Sequence, residues 1–308
     1  MSRPLFYWVS EARFSRQVGE QRAMKTGFIG AGKTGSALAV GLSRIGYHIS
    51  AVYSSSYASA QRLSALLPDC HAYQQPQQVA DTCDMVFITT PDDAISEVAE
   101  QLHWRRGQYA VHCSGALSID VLAAAQRFGA LTGSLHPLQS FASIDQAVNK
   151  LPSSTFALEG TEPLLSLLKQ IVALLKGRVI VLNPGDKALY HAAAVFTSNY
   201  TVTLLGMAAK LWKSFGIPQA EAVSALLPLL KGTVNNIESI GLPDCLTGPV
   251  ARGDLDTIRI NLEAISASCP SLLSAYKEMG QQTIPIAVAS GSIDKEKAVL
   301  LRGILNGD

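Results

Sequence analysis

Charged residues are scarce in this 308-residue chain. Asp, Glu, Lys and Arg make up 16% of it, against 48% hydrophobic residues. That share is below the usual quarter and points to a well-buried globular protein with an apolar interface. An excess of one sign of charge is also missing, with 25 Lys and Arg against 24 Asp and Glu. No basic stripe is interleaved with aromatics, so nucleic acid is not expected as the main partner, because phosphate binding needs concentrated positive surface. The five cysteines at 70, 83, 113, 245 and 269 are odd in number and show no C-x-x-C spacing. Neither a zinc or other metal site nor a disulfide framework is expected, and a reducing cytoplasm is the natural compartment. No uninterrupted apolar run of about 18 residues occurs, so no membrane span is expected. The most apolar long stretch, Ala192 to Leu211, is broken by Thr197, Ser198, Asn199, Thr201 and Thr203 and reads as a buried helix.

The length suits two domains. Residues 1–23 hold Arg3, Arg13, Arg16 and Arg22 among Phe6, Tyr7, Trp8 and Phe14. They lack the continuous apolar middle of a secretory signal. They read as an N-terminal surface extension, as a stretch preceding a start at Met24, or as an organelle-targeting amphipathic helix. From Met24 short apolar runs alternate with helical stretches as far as Leu182. This alternation predicts an α/β fold, a doubly wound, mostly parallel sheet covered on both faces. Beyond Asn183-Pro184-Gly185 the strand signal fades, and 186–232 and 255–280 are helical in pattern. The expected domains are therefore a dinucleotide-binding one over 24–183 and an all-helical one over 184–308.

Gly30-Ala31-Gly32-Lys33-Thr34-Gly35 follows a short strand and opens a helix. In such a turn the first glycine permits the tight bend, the second lets the backbone approach a pyrophosphate, and the third lets helix pack on strand. Helix N-terminal amides then hold the phosphate charge. The same residues match a second pattern, Gly27, four residues, then Gly32-Lys33-Thr34, that of a nucleoside-triphosphate loop. That loop needs its strand before the first glycine. Here Gln21 to Lys25 is polar, and the apolar Phe28 and Ile29 fall inside the would-be loop.

An acid is absent at the end of the second strand, where NAD-binding chains tend to hold the ribose 2′-hydroxyl. The segment is Val52-Tyr53-Ser54-Ser55-Ser56. Ser54, Ser55 and Ser56 can donate to a 2′-phosphate that an acid would repel, so NADP is favoured over NAD; a plain serine-rich turn is the other reading.

Open α/β sheets bind ligands beyond the carboxyl ends of their strands. Thr90-Pro91-Asp92, Ser114-Gly115, His136-Pro137 and Asn183-Pro184 fall at such ends. Thr90 and Pro91 are placed at the cofactor, and Asp92 and Asp93 read as solvated loop residues. His136 can exchange a proton with a substrate oxygen or nitrogen, or cap the loop ahead of Pro137. Lys187 and His191 are four apart and share a helix face, with Asn199 two turns further on. A buried lysine whose pKa falls towards 7 or 8 can serve as general acid; a surface lysine beside a packed histidine is the alternative. Arg252, in the Gly248-Pro249-Val250-Ala251-Arg252-Gly253-Asp254 loop, can hold a substrate carboxylate or pair with Asp254 or Asp256.

Together the glycine turn, Ile88-Thr89-Thr90-Pro91-Asp92, His136-Pro137-Leu138-Gln139-Ser140-Phe141, Tyr190-His191-Ala192-Ala193-Ala194 and Gly248 to Asp254 resemble a bacterial family of oxidoreductases. Its members pair a Rossmann-like domain with a C-terminal helical domain of unknown function. The family is similar in fold to pyrroline-5-carboxylate reductase, ketopantoate reductase, prephenate dehydrogenase and the 3-hydroxyisobutyrate-type dehydrogenases, whose helical domain has the 6-phosphogluconate-dehydrogenase C-terminal form. The resemblance implies an NADP-dependent dehydrogenase or reductase acting on a small carboxylate-bearing carbonyl, imine or alcohol, such as the keto acid ketopantoate, with a helical domain that dimerises. It places His136 and Ser114 with the His-Pro and the active-site serine of prephenate dehydrogenases. It places Lys187 with the catalytic lysine of the hydroxyacid dehydrogenases, whose Lys-x-x-x-Asn pattern has His191 in the last place here. That departure leaves room for a non-catalytic NADP(H)-binding regulatory or sensing protein.

Overall fold

The structure, a computed structural model, describes residues 24–307. The readings of residues 1–23 lie outside the described residues. The chain divides into two compact units between Val195 and Phe196.

The first unit is built on an eight-stranded sheet: β1 Lys25–Ile29, β2 His48–Tyr53, β3 His71–Tyr73, β4 Met85–Ile88, β5 Tyr109–His112, β6 Leu131–Leu138, β7 Thr155–Gly160 and β8 Arg178–Val181, in the order β3-β2-β1-β4-β5-β6-β7-β8. All neighbours are parallel except β6 and β7. The central strands are apolar on both sides because both faces are covered. Phe28, Phe87, Val111, Leu135 and Leu158 feed one core cluster. Their alternating neighbours Ile29, Val86, Ile88 and Ala110 feed a second cluster, on the opposite face. β3 and the helices Pro76–Thr82 and Ile144–Lys150 are short, with too few periodic positions to show in the sequence.

Two expectations need correction. β6 runs through His136 and Pro137 to Leu138, so His136 is a strand residue and not a loop cap. Antiparallel pairing of His136 with Ala157 and of Pro137 with Phe156 carries the strand through the segment expected to lie beyond its end. Ala192 to Leu211 is not a buried helix. Helices Lys187–Thr197 and Asn199–Lys213 are separated at Ser198, and only Lys187 and Ala209 in them are buried. By length and composition Lys187–Lys213 is the one stretch among the described residues that could cross a membrane. Its first residue is tied by hydrogen bond to the main chain of the first unit.

The second unit is helical, with Gln219–Ser239, Leu255–Ser268, Leu273–Ala289 and Lys295–Asn306 as its further long helices. Its core is a single cluster of Ile258, Ile284, Ala287, Ile293, Ala298, Leu301 and Leu305.

Candidate active site

The glycine turn leaves the end of β1 and enters helix Lys33–Arg44, with Gly32 as its N-cap. Gly30 adopts φ +115, and a Cβ there would lie 2.6 Å from the Thr89 carbonyl carbon. A Cβ on Gly35 would collide with the Thr89 side chain and the Gly30 carbonyl. Thr89 Oγ1 donates to the Gly30 carbonyl at 2.7 Å, and the Gly30 N–H donates to the Tyr53 carbonyl at 2.8 Å. The first and third glycines are thus fixed by the fold. Gly32 differs, because nothing lies within 4 Å of its absent Cβ. No side chain caps this helix and no acid sits in its first turn, to which Lys33 and Thr34 belong. Its first amides stay free for an anion, the arrangement a dinucleotide diphosphate needs. Gly27 lies inside β1, packed against Val79 and Cys83; this removes the triphosphate-loop reading, which requires it in the loop.

Ser54 is half-buried, and Ser55 and Ser56 are exposed ahead of helix Tyr57–Ser64. Ser56 offers no side-chain cap. Arg62 is turned to Ser59 Oγ at 2.7 Å. At the end of β4, Thr90 Oγ1 is buried without a hydrogen-bond partner, and the exposed Pro91 follows it.

A second group of residues converges on Ser114 and Gly115, just past β5. Ser114 Oγ donates to Asp92 Oδ2 at 2.7 Å and accepts from the Ala116 and Leu117 N–H groups at 3.1 and 3.0 Å. Asp92 is therefore not merely a solvated loop residue, since it anchors this loop. The Ser114 carbonyl accepts from Lys187 Nζ at 2.7 Å. Lys187 is 3% exposed, and burial brings its pKa down to about 8 against the raising pull of the carboxylates of Glu159 and Asp92.

The rings of His136 and His191 both close on Gly115. A Cβ there would lie 2.8 Å from His136 Nε2 and 2.9 Å from His191 Nδ1, so only glycine admits the two imidazoles. His136 Nδ1 is 2.7 Å from the Tyr190 hydroxyl, and the rings meet edge to face. Burial pushes the Tyr190 phenol up to about 12, so it keeps its proton and can donate it to Nδ1. Burial, then the neighbouring Lys187 and His191, hold His136 down to about 4. His191 Nδ1 is buried without a hydrogen-bond partner.

Of the residues expected from sequence, Ser114, His136, Lys187 and His191 come together. The i, i+4 spacing of Lys187 and His191 places both on the Ser114–Gly115 loop. Asn199 is exposed in the second unit, and the break at Ser198 interrupts the helical phase used to align it with His191. Arg252 ends the short helix Pro249–Arg252, bounded by Gly248 and Gly253, both at positive φ. It pairs with Asp254 at 3.8 Å while 65% of its side chain stays exposed; Asp256 pairs with Arg259 instead. Sequence reasoning placed Asp92 and Gly115 at candidate strand ends but gave neither a role in this group, and gave none to Tyr190.

Residues 13–137 match the family model of the Rossmann-like domain, and residues 154–283 match that of a domain of unknown function, DUF2520. No curated protein matches the chain. Among solved structures, protein TM1727 from Thermotoga maritima is 26% identical with a TM-score of 0.69, over 86% of this chain and 99% of its own. 1-Pyrroline-5-carboxylate reductase from Streptococcus pyogenes is 20% identical with a TM-score of 0.59, over 87% and 99%. A reductive aminase from Aspergillus terreus, in complex with NADPH and ethyl-5-oxohexanoate, is 16% identical with a TM-score of 0.58, over 92% of each chain. The last two likenesses are of fold. The chain thus joins a Rossmann-like domain to a DUF2520 domain of unknown function, the pairing its motifs resemble.

Proposed function

We propose that the protein is an NADP-dependent reductase that acts on a small carbonyl or imine bearing a carboxylate. The observation that carries this reading is the buried Lys187 ammonium, fixed beside two imidazoles at the carboxyl ends of the strands that also present an open anion-binding turn. When bound, the cofactor supplies a hydride. The free amides from Gly32 onward, with Lys33 and Thr34, would hold its diphosphate. Ser54, Ser55 and Ser56 would donate to its 2′-phosphate, and Thr90 and Pro91 would flank it.

The chain supplies the proton. With a pKa brought down to about 8, Lys187 is charged at neutral pH yet acidic enough to release a proton to the substrate oxygen or nitrogen. Water or buffer then returns it. His136 is neutral at that pH, and with Tyr190 donating to Nδ1 its proton sits on Nε2, on the Gly115 side. It can thus donate a hydrogen bond to the same substrate atom, while Ser114 and Asp92 keep the loop in place. Arg252 is our candidate for the substrate carboxylate, since its exposed pairing with Asp254 is weak competition. A keto acid such as ketopantoate fits this chemistry, as does a cyclic imino acid. We also propose a homodimer formed through the exposed apolar helices of the second unit.

The test is oxidation of NADPH across a panel of keto acids and imines, with wild type and Lys187→Met. We expect turnover with at least one substrate class, a decline above pH about 8 as Lys187 loses its proton, and a loss of about 100-fold or more in the variant with NADPH binding retained. Binding without any turnover would make the protein a nucleotide-sensing one. Equal turnover in the variant would remove Lys187 from the mechanism.

A further inference from the structure

Beneath the Ser114–Gly115 loop, the sheet carries a polar row that the proposed reaction leaves unused. His112, Ser134 and Glu159 stand on β5, β6 and β7 in matched register, His112 opposite Ser134 and Ser134 opposite Glu159. In-register residues of neighbouring strands point to one face, so the three line up over about 10 Å of sheet. His112 and Ser134 are fully buried and Glu159 is 4% exposed.

Each of the three brings an unsatisfied atom to this face: His112 Nε2, Ser134 Oγ and Glu159 Oε2. Buried polar groups are rarely left unpaired, and adjacent orphans share ordered water. A buried carboxylate also needs a positive partner. The row leads to one. The Ser114 N–H donates to His112 Nδ1 at 3.2 Å, and the Ser114 carbonyl accepts from Lys187 Nζ. That bond uses one of the three N–H groups of the ammonium.

We infer that Glu159 is the positioning residue of Lys187: ionised, and joined to it through water held by Ser134 and His112, it keeps the ammonium charged and fixed at the Ser114 carbonyl. The inference rests on the reductase reading only in naming Lys187 as the proton donor.

The other groups around the pair are consistent with this role. Asp92 faces Lys187 from the turn after β4 as a second, exposed acid. Cys113, beside it, stays a neutral thiol because burial pushes it up to about 12. His112 and His136 face it as neutral rings, held down to about 3 and about 4, first by burial, and His191 stands next to His136. Glu159 is raised by burial and by Asp120, and drawn back by Lys187 and the Ile119 main chain. Among the groups that favour the charged lysine, Glu159 has the largest effect.

The test is a pH titration of the full chain carrying 13Cε-labelled lysine, with the Lys187 resonance identified by its loss in Lys187→Met. We expect a midpoint near 8 in the wild type, lower by about one pH unit or more in Glu159→Gln, and lowered less in Glu159→Asp, which keeps the charge. An unchanged or raised midpoint in Glu159→Gln would overturn the inference, leaving Glu159 a structural residue. If that variant does not fold, infrared spectroscopy of the wild type at pH 7 decides. The inference requires that no buried protonated carboxyl band be present, and such a band would refute it. A shifted midpoint in a protein that does not bind NADPH would sink the reductase reading and leave this one standing.

Discussion

The two units of the chain solve the problem of burial differently. In the first, two apolar clusters lie on opposite faces of the sheet and most large side chains are enclosed. In the second, one small cluster joins the helices from Pro249 onward and takes nothing from Asn199–Lys213 or Gln219–Ser239, and Phe196, Val202, Phe215, Leu229, Ile240, Leu242 and Ile260 are each more than half exposed. Low overall charge is thus spent in two ways: as a closed core around a polar site, and as helix faces that stay apolar in the single chain. A monomer rarely leaves so much large apolar surface in water. The first unit encloses the polar group around Ser114 and Lys187, whereas the second leaves apolar helix faces open, the faces on which the proposed homodimer rests.

Breaking the first unit takes a single methyl-bearing group. Gly30→Val has no allowed backbone conformation at φ +115 and would drive its Cβ into the Thr89 main chain, which cannot swing aside as a side chain can. We expect a loss of about 3 kcal/mol or more in urea unfolding; a loss under 1 kcal/mol would mean the turn is looser than described. The second unit should answer differently. Val202→Asp combined with Leu229→Asp, at 73% and 69% exposed positions, should leave the helical circular-dichroism signal unchanged. It should halve the mass seen by light scattering at micromolar concentration. A wild type already monomeric there would contradict the proposed homodimer.

The smallest expected effect concerns pH. His136 is held to about 4, below its ordinary 6.5, so as pH falls through this window the unfolded chain takes up a proton before the folded one does. The associated stability is full above pH 6.5 and is lost progressively towards pH 4. His136→Gln, which cannot titrate, should lose less unfolding free energy between pH 6.5 and 4 than the wild type, the difference being of order 1 kcal/mol. An identical loss in both would show that His136 titrates normally.

Much of the fold was legible because its signals are local. The strand, three glycines and helix of the turn follow one another without a break from Lys25 to Arg44, and Lys187 and His191 announce a shared face through i, i+4 spacing alone. What stayed hidden depends on register between distant strands. Glu159 lies at the end of an apolar strand whose sequence gives no hint that β7 runs antiparallel beside β6, opposite Ser134. A lone acid closing Thr155-Phe156-Ala157-Leu158 and a lone histidine closing Tyr109-Ala110-Val111 were the available signals. Asp92 looked like solvent-facing loop because its partner, Ser114, is 22 residues away. Tyr190 sits between Lys187 and His191, where helical periodicity alone gave it no role.

The central claim is that the open main chain at Gly32 holds a dinucleotide diphosphate, and NADPH titration of Gly32→Val tests it most directly. Gly32 has an ordinary φ of −75 and empty space where a side chain would go, so the variant should melt within about 2 °C of wild type, as a neutral surface change does. Its NADPH affinity, read by fluorescence quenching, should fall by about tenfold or more, because the new side chain occupies the approach of the diphosphate. A variant that folds normally and binds NADPH as tightly as wild type would contradict the account.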